Sequence, residues 1–348
     1  FPNFIKSLAK VKKACALTNF ELGDLTDVQK DAIVQACNEI IDGKFRDQFI
    51  VDPIQGGAGT STNMNVNEVI ANRALEILGK PKSSYDIIHP NNHINMSQST
   101  NDVYPTAIKL TLHELIFKLK DSLRFLRDCF EEKSVEFKDV LKMGRTQLQD
   151  AVPMTLGQEF KTFAVMINDD IYRLRNAQAL LKEVNLGATA IGTGINTKAA
   201  YQRKVISNLR EVTGVDYVSA GDLIEATQDT GSFVHISGML KSIAIKISKI
   251  CNDLRLLSSG PRAGFNEINL PPLQPGSSIM PGKVNPVMPE VVNQVAFEVI
   301  GADMTIAMAS EHGQLQLNVF EPLIAYKLFN SINMMRRAFY SLGEKCIK

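Results

Sequence analysis

The chain has 348 residues, of which 45% are hydrophobic and 22% charged, and its formal net charge is +1. This is the composition of a soluble globular protein, and the near-neutral charge gives no indication of a nucleic-acid or membrane-surface partner. Lys, Asp or Glu interrupts the apolar stretches, so we expect no membrane-spanning segment. The amino end, FPNFIKSLAKVKK, has neither an initiator Met nor a signal-peptide pattern, so we expect a chain that begins partway into a protein.

The five cysteines and five histidines are scattered along the chain. No two cysteines have zinc-type spacing, and no histidines form an HExxH-like pair. We therefore expect free thiols in a reducing, cytoplasmic compartment, and no metal site.

The first part of the chain predicts a few short helices joined by loops. Thr26 and Gln29 have the spacing of a capping box, which predicts a helix that ends at Gly43. The Gly-rich stretch QGGAGTSTNMN, residues 55–65, is expected to be a loop before a helix from about residue 66 to Gly79. We assign residues 1–98 to an N-terminal domain that is incomplete at its start.

From residue 99 onward, apolar residues recur at steps of three and four, as in long amphipathic helices. The predicted helices cover residues 108–130, 160–181, 233–257, 289–310 and 319–344. Such steps suit near-parallel packing, so the predicted fold is all-α, with a central bundle domain of five long helices over residues 99–348. No strand-like alternation is seen there. Helices of this length also suit packing against copies of the same chain.

Two long segments between the predicted helices are expected to be structureless loops. Residues 138–155 contain MGRTQLQDAVPMT, and residues 259–288 contain GSSIMPGKVNP. Long loops are unusual in compact domains and are often functional. Another Gly-rich stretch is GATAIGTGIN at residues 187–196. It has neither a P-loop lysine nor Rossmann spacing, which argues against nucleotide binding.

Three uncharged loops are rich in hydrogen-bond donors. In SQSTND, residues 97–102, Ser99 and Asp102 have capping-box spacing, although the sequence leaves open which residue caps the helix. A helix start attracts anions through its free N–H groups, while a merely well-capped helix is the alternative. Similar polar groups surround Thr60 and Thr146. With Lys283, which is either a ligand or a solvated surface charge, these loops suit a small dicarboxylate.

The segment GSSIMPGKVNP resembles the signature of the fumarase/aspartase superfamily. Further blocks resemble family segments in the family's order: QGGAGTSTNMNVNEVIAN, NNHINMSQSTND, GRTQLQDAVPMTLGQEF, NLGATAIGTGIN and NDLRLLSSGPRAGFNEINLP. The resemblance spans nearly the whole chain. It implies a homotetramer with a twenty-helix core, in which loops of three subunits build each active site. It also implies that the family's amino-terminal segment and small C-terminal domain lie outside this sequence.

The resemblance assigns roles by position. Ser277 matches the family's base, which removes a proton next to one carboxylate and creates an aci-carboxylate (enediolate) intermediate. A hydroxyl is a weak base, so it must act as an oxyanion that loop amides and Lys283 stabilise. The matched substrate-binding residues are Thr60, Ser99 and Thr100 at the intermediate, Lys283 and Asn285 at the other carboxylate, Asn101 and Thr146 near the leaving group, and Gln147; Ser278 and Glu290 match supporting positions.

Residue 147 separates the two branches of the superfamily. Fumarases resemble GRTHTQDA here, with a water-activating histidine paired to a glutamate at the position of Glu290. Gln147 cannot take a proton near neutral pH, which favours the aspartase branch, whereas Gly282 is alanine in many aspartases. The expected reaction is reversible conversion of L-aspartate to fumarate and ammonia. It needs no organic cofactor, and the sequence offers no site for the divalent cation that activates some members.

Three alternatives stay open at the level of sequence. The first is fumarate hydratase. The second is a superfamily member recruited as a non-catalytic structural protein, against which the presence of Ser277, Lys283 and Asn285 argues. The third is a truncated, inactive chain.

Overall fold

The computed structural model describes residues 1–348. Its helices are α1 (Pro2–Glu21), α2 (Asp27–Ile41), α3 (Thr60–Ile77), α4 (Thr100–Glu136), α5 (Leu156–Ala179), α6 (Tyr201–Thr213), α7 (Leu223–Gln228), α8 (Gly231–Leu257), α9 (Val287–Glu311) and α10 (Glu321–Leu342). The helices α4, α5, α8, α9 and α10 are the five long helices that the apolar periodicity predicts, so the all-α helical class is confirmed.

Several local predictions are confirmed and others are wrong. Thr26 and Gln29 form the capping box at the start of α2, and each side chain pairs with the other residue's backbone N–H. However, α3 begins at Thr60, within the stretch predicted to be a loop. Its first turn is made of Thr, Ser and Asn, which hide the apolar period that only emerges from Val66 onward. The short helix α6 was not predicted.

The segment 138–155, expected to be structureless, contains a β-hairpin. Strand β1 (Leu141–Thr146) pairs antiparallel with β2 (Gln149–Thr155), with an irregularity between Met143 and Arg145. Both strands are largely exposed, so neither face needs apolar side chains, and the alternation that marks a half-buried strand is missing. Two further two-residue strands, β3 (Glu183–Val184) and β4 (Val218–Ser219), pair in parallel.

The chain divides into two compact units. Unit 1 comprises Phe1–Glu114, Ala179–Val234 and Thr305–Phe329, and unit 2 comprises Leu115–Gln178, His235–Met304 and Asn330–Lys348. The predicted domain boundary after residue 98 stays a prediction.

Each unit has its own apolar core. In unit 1, α1 packs against α2 and α6, and α2 packs against α3. In unit 2, the Phe130, Phe160 and Phe163 rings lie in mutual contact, with centroids 5.5–5.8 Å apart. Phe137 joins this cluster edge-on to Phe160, at 5.4 Å. The five cysteines are free, as predicted, and all of them are buried.

Helix α9 is long and apolar. By length and composition alone it is able to cross a membrane, although Glu298 and Asp303 interrupt its apolar sequence, as expected from the sequence. A single such helix is weak evidence for a membrane. Its exposed apolar side chains are Val291, Phe297, Ile300, Met304 and Met308. Because the last four recur at steps of three and four, they form one stripe, which we call the α9 stripe.

Candidate active site

The start of α4 shows which residue caps it. The helix begins at Thr100, and the Ser99 hydroxyl accepts a hydrogen bond from the Asn101 N–H at 3.2 Å. In return, the Asp102 carboxylate accepts from the Ser99 N–H at 3.0 Å. Ser99 is therefore the cap, and the reciprocal pairing fixes the backbone of the predicted substrate-binding residues.

Asp102 also ties this helix start to the Gly-rich segment. Its second carboxylate oxygen accepts from the backbone N–H groups of Gly187 at 3.0 Å and Thr189 at 3.1 Å. Burial raises the pKa of Asp102 to about 6, although these amides and the Lys12 ammonium work in the opposite direction. Gly187 thus links this segment to the start of α4, and at Gly192 (φ 97°) any side chain would clash with the backbone of Ile224 on α7.

Asn101 is held from two sides. Its side-chain amide donates to the Ala190 backbone carbonyl at 2.7 Å, and the backbone carbonyl of Asn101 accepts from the Asn185 side chain at 3.0 Å. One face of its amide group is therefore committed to the Gly-rich segment.

The loop that carries Thr60 lies against the same helix. Gly57, Ala58 and Gly59 all have left-handed backbone conformations (φ 84°, 57° and 92°) and turn the chain into α3. Gly59 packs on the ring of Tyr104 so closely that a methyl group would overlap it. The Thr60 hydroxyl donates to the Gly57 carbonyl at 2.8 Å. The predicted residues of the two polar loops are thus brought together within unit 1.

A buried lysine, which was not predicted from the sequence, lies beneath these loops. Lys12, on α1, is 1% exposed, and its ammonium donates to the side-chain oxygens of Asn95 and Gln98, both at 2.9 Å. Burial lowers the pKa of Lys12 to about 8. The sequence signal was weak, because one lysine among several in a helix looks like a surface charge.

Ser277 lies in a closed turn of unit 2. Its hydroxyl oxygen accepts from the Ile279 N–H at 3.3 Å, and the Asn285 side chain donates to the Gly276 carbonyl at 2.6 Å. Gly276 packs against the Lys283 carbonyl, where a methyl group would overlap the backbone. Only glycine therefore fits at this position, and the segment 276–285 closes upon itself.

The other predicted residues of this segment are placed around the turn. Ser278 and Lys283 are exposed, whereas Ser277, Asn285 and Glu290 are half-buried. Glu290 lies in the first turn of α9, which begins two residues before Pro289. The predicted start of that helix at Pro289 is thus two residues late.

Thr146 and Gln147 lie at the tip of the hairpin. Because Thr146 pairs with Gln149, only Gln147 and Leu148 form the turn, and both have positive φ (55° and 63°). Type I′ hairpin turns require this conformation, and non-glycine side chains adopt it at a cost. Strained backbone of this kind is often found at functional sites.

A charged cluster that the sequence analysis missed braces the hairpin. The Arg145 guanidinium pairs with Glu267 at 2.5 Å and lies over the ring of Phe265 at 4.3 Å. The largely buried Lys142 bridges Glu267, at 3.1 Å, and Glu159. Burial alone would raise the pKa of Glu267, but the hydrogen bonds from Arg145 and Lys142 outweigh it and hold that pKa below its usual range.

The predicted residues therefore form two sets. Unit 1 brings together Thr60, Ser99, Thr100 and Asn101, and unit 2 carries Thr146, Gln147, Ser277, Ser278, Lys283, Asn285 and Glu290. The first set supplies hydroxyl and amide groups at a helix start, which suits an anion. The second set supplies a serine in a tight turn and a lysine.

The sequence matches a family described as lyase over residues 3–301. A curated aspartate ammonia-lyase from Helicobacter pylori (strain ATCC 700392 / 26695) is 61% identical over 348 residues, covering 100% of this chain and 74% of that protein. Further curated relatives with the same name, at 56–61% identity, include proteins from Pseudomonas aeruginosa and Escherichia coli.

Two solved structures have nearly the same fold. A fumarate lyase:delta crystallin from Brucella melitensis bound to cobalt gives a TM-score of 0.98 at 57% identity, covering 99% of this chain and 75% of that one. A recombinant class II fumarase from Schistosoma mansoni gives a TM-score of 0.96 at 36% identity, covering 100% of this chain and 76% of that one. The fold is thus common to both, while sequence identity is much higher to the former.

Proposed function

Because the chain belongs to the lyase family, and within it to the fumarase/aspartase superfamily, we propose that it is a carbon–nitrogen lyase that converts L-aspartate reversibly to fumarate and ammonia. One observation carries this proposal: identity of 61% along the whole chain to proteins named aspartate ammonia-lyase. The class II fumarase has the same fold at only 36% identity, which makes the hydratase the second choice.

Ser277 is the proposed base. As an alkoxide, its oxygen takes a proton from the carbon next to one carboxylate, and the electron pair of the broken C–H bond moves into that carboxylate. The Ile279 N–H, which already points at this oxygen, supports the proposal because it would stabilise the negative charge. Lys283, on the same turn, supplies further positive charge.

The enediolate that results carries two negative charges at one end of the substrate. We assign its stabilisation to Thr60, Ser99 and Thr100. Hydroxyl donors at the start of α4 act with the positive end of its helix dipole, which favours an anion. Collapse of the enediolate forms the carbon–carbon double bond, and the C–N bonding pair leaves with the amine as ammonia.

The remaining residues hold the rest of the substrate. Lys283 and Asn285 are proposed to bind the second carboxylate, and Asn101 and Thr146 to lie near the amine. Ser278 and Glu290 are proposed to support the turn that carries the base. These assignments follow the positions that the family motifs match.

Gln147 favours ammonia over water as the leaving group. Its amide forms hydrogen bonds but does not take a proton near neutral pH, so it cannot activate water in the way that a histidine paired with Glu290 would. Elimination of an amine has less need of such a base.

A homotetramer with active sites built from three subunits is the proposed assembly. The α9 stripe supports it, since an exposed apolar surface of this kind is typical of a subunit interface. We propose that the reaction needs no organic cofactor and takes place in the cytoplasm. Activation by a divalent cation is left as a prediction without an assigned site.

The test is fumarate formation, followed by absorbance, with L-aspartate and separately with L-malate. We expect turnover of L-aspartate alone, and its near-complete loss in Ser277→Ala. Ser207→Ala, which changes an exposed serine on α6, is the matched control. Comparable turnover of L-malate would refute the assigned substrate, and an active Ser277→Ala would refute the assigned base.

A further inference from the structure

The buried Lys12 dictates the orientation of two side-chain amides. An ammonium group has three donors and no acceptor, so only oxygen atoms satisfy it. Both groups that it contacts therefore present oxygen: Asn95 Oδ1 and Gln98 Oε1, each at 2.9 Å. Gln98 is pinned further, because its Nε2 donates to the carbonyls of Ile94 and Met96 at 2.9 and 3.0 Å.

The orientation of Asn95 fixes that of Asn63 in turn. Asn95 Oδ1 also accepts from the Nδ2 groups of Asn63 and Asn67, both at 3.1 Å. Asn63 must therefore present its NH₂ group, and not its oxygen, to Asn95. The same Nδ2 of Asn63 donates to the Thr100 hydroxyl oxygen at 3.0 Å.

The hydroxyl hydrogen of Thr100 has no hydrogen-bond acceptor within the chain. Its oxygen accepts from Asn63, so its O–H cannot be donated back to that group. Within the chain no acceptor takes this hydrogen, although the residue is only 8% exposed. The hydroxyl is therefore poised as a donor to a molecule that is not part of this chain.

We propose that Lys12, Asn95 and Asn63 form a polarity relay, which forces the Thr100 hydroxyl to donate its hydrogen to the carboxylate that gains charge in the reaction. These three are positioning residues that do not touch the substrate. The inference rests on the proposed function, which places Thr100 at the enediolate. A donor oriented before the charge develops needs no reorganisation in the transition state.

The nearly isosteric substitution Asn63→Asp reverses the direction of the hydrogen bond between residue 63 and Thr100. In Asn63→Asp, a carboxylate faces Thr100 and accepts only, so the Thr100 hydrogen turns towards residue 63 and is lost to the reaction. Lys12→Met weakens the relay at its other end, because a side chain of similar length removes the ammonium and leaves the orientation of the Asn95 amide to the long 3.3 Å bond from its Nδ2 to the Gln98 carbonyl. Lys13→Met is the matched control, since the adjacent Lys13 makes an exposed contact to Asn38.

The experiment is a double-mutant cycle on kcat for L-aspartate in the full chain. We expect Asn63→Asp to lower kcat by about 100-fold, the usual cost of one oxyanion donor, and Lys12→Met by about tenfold. In a Thr100→Val background there is no hydroxyl to orient, so each change should then cost less than about threefold. Thermal denaturation identifies any variant that fails to fold, and Lys12→Met decides the matter if Asn63→Asp is such a variant.

The outcomes separate the two claims. If Asn63→Asp and Lys12→Met lower kcat by the same factors in the Thr100→Val background as in the wild type, their role is merely structural and the relay is overturned. A Thr100→Val variant with full turnover would overturn the proposed role of Thr100, and the relay with it. Failure of the reaction itself is judged separately, by wild-type turnover and by Ser277→Ala.

Discussion

The turn at the hairpin tip gives a prediction in which stability and activity move in opposite directions. Gln147 and Leu148 are both left-handed, with φ of 55° and 63°. Glycine adopts this conformation without the steric cost of about 1–2 kcal/mol that other residues meet. It loses about 0.5–1 kcal/mol through its greater freedom in the unfolded chain. Each of Gln147→Gly and Leu148→Gly should therefore stabilise the hairpin by about 1 kcal/mol, the difference of these two terms.

Hydrogen exchange of the amides in β1 and β2 measures this local stability. A gain of about 1 kcal/mol corresponds to about fivefold slower exchange in each variant. Little burial opposes the gain in Leu148→Gly, because Leu148 is 63% exposed. The activities should differ: Gln147→Gly removes a proposed substrate contact and should lower kcat/KM by about tenfold, whereas Leu148→Gly should keep it within about twofold.

Leu148→Gly is the matched control, since it relieves the same strain one residue away. Faster exchange in both variants would refute the argument from backbone strain. Equal losses of activity in the two variants would refute a specific role for the Gln147 side chain, and would mean that the shape of the turn alone matters.

Two further predictions concern a buried carboxyl and the turn of Ser277. Glu321 in the first turn of α10 is 3% exposed, and burial raises its pKa to about 8 against the opposing charge of Lys109. Since the folded state holds this proton more tightly, its contribution to the free energy of unfolding should be full below about pH 4.5 and fall by on the order of 5 kcal/mol towards pH 8. Urea midpoints measured across this pH range should show that Glu321→Gln removes the fall. The same dependence of stability on pH in Glu321→Gln would contradict the assignment. Gly276→Ala should lower kcat by about 100-fold, because a methyl group would overlap the Lys283 carbonyl and displace Ser277. Gly282→Ala, with nothing near the added methyl, should cost less than about tenfold, and equal rates in the two variants would refute this account.

Much of the fold was predictable because helical periodicity is a local signal. Steps of three and four residues locate the long helices, and Thr26 with Gln29 marks a helix start that the structure confirms. The hairpin was not predictable in this way, because its strands are exposed on both faces and bury no apolar side of their own. What braces it is a set of ion pairs to Glu267, a residue distant in sequence.

The same distinction between local signals and distant contacts separates the site residues that were predicted from those that were not. Residues that lie in short motifs, such as Ser277 and Thr100, were identified from sequence, although their roles stay predictions. The buried residues that hold these motifs in place through hydrogen bonds were not identified, because their contacts join distant parts of the chain. Lys12 and Asn95, for example, are 83 positions apart. Nothing local distinguishes Lys12 from the solvated Lys13 beside it, and only the packing of α1 shows which of the two is buried.

The α9 stripe also has a consequence for synthesis of the protein in the cell. In the proposed homotetramer this stripe lies at a subunit interface, so a newly made subunit carries it bare until sister subunits arrive. The rate of that encounter rises with the square of subunit concentration. A cell that makes this chain slowly therefore exposes each copy to chaperones and proteases for longer than a cell that makes it fast.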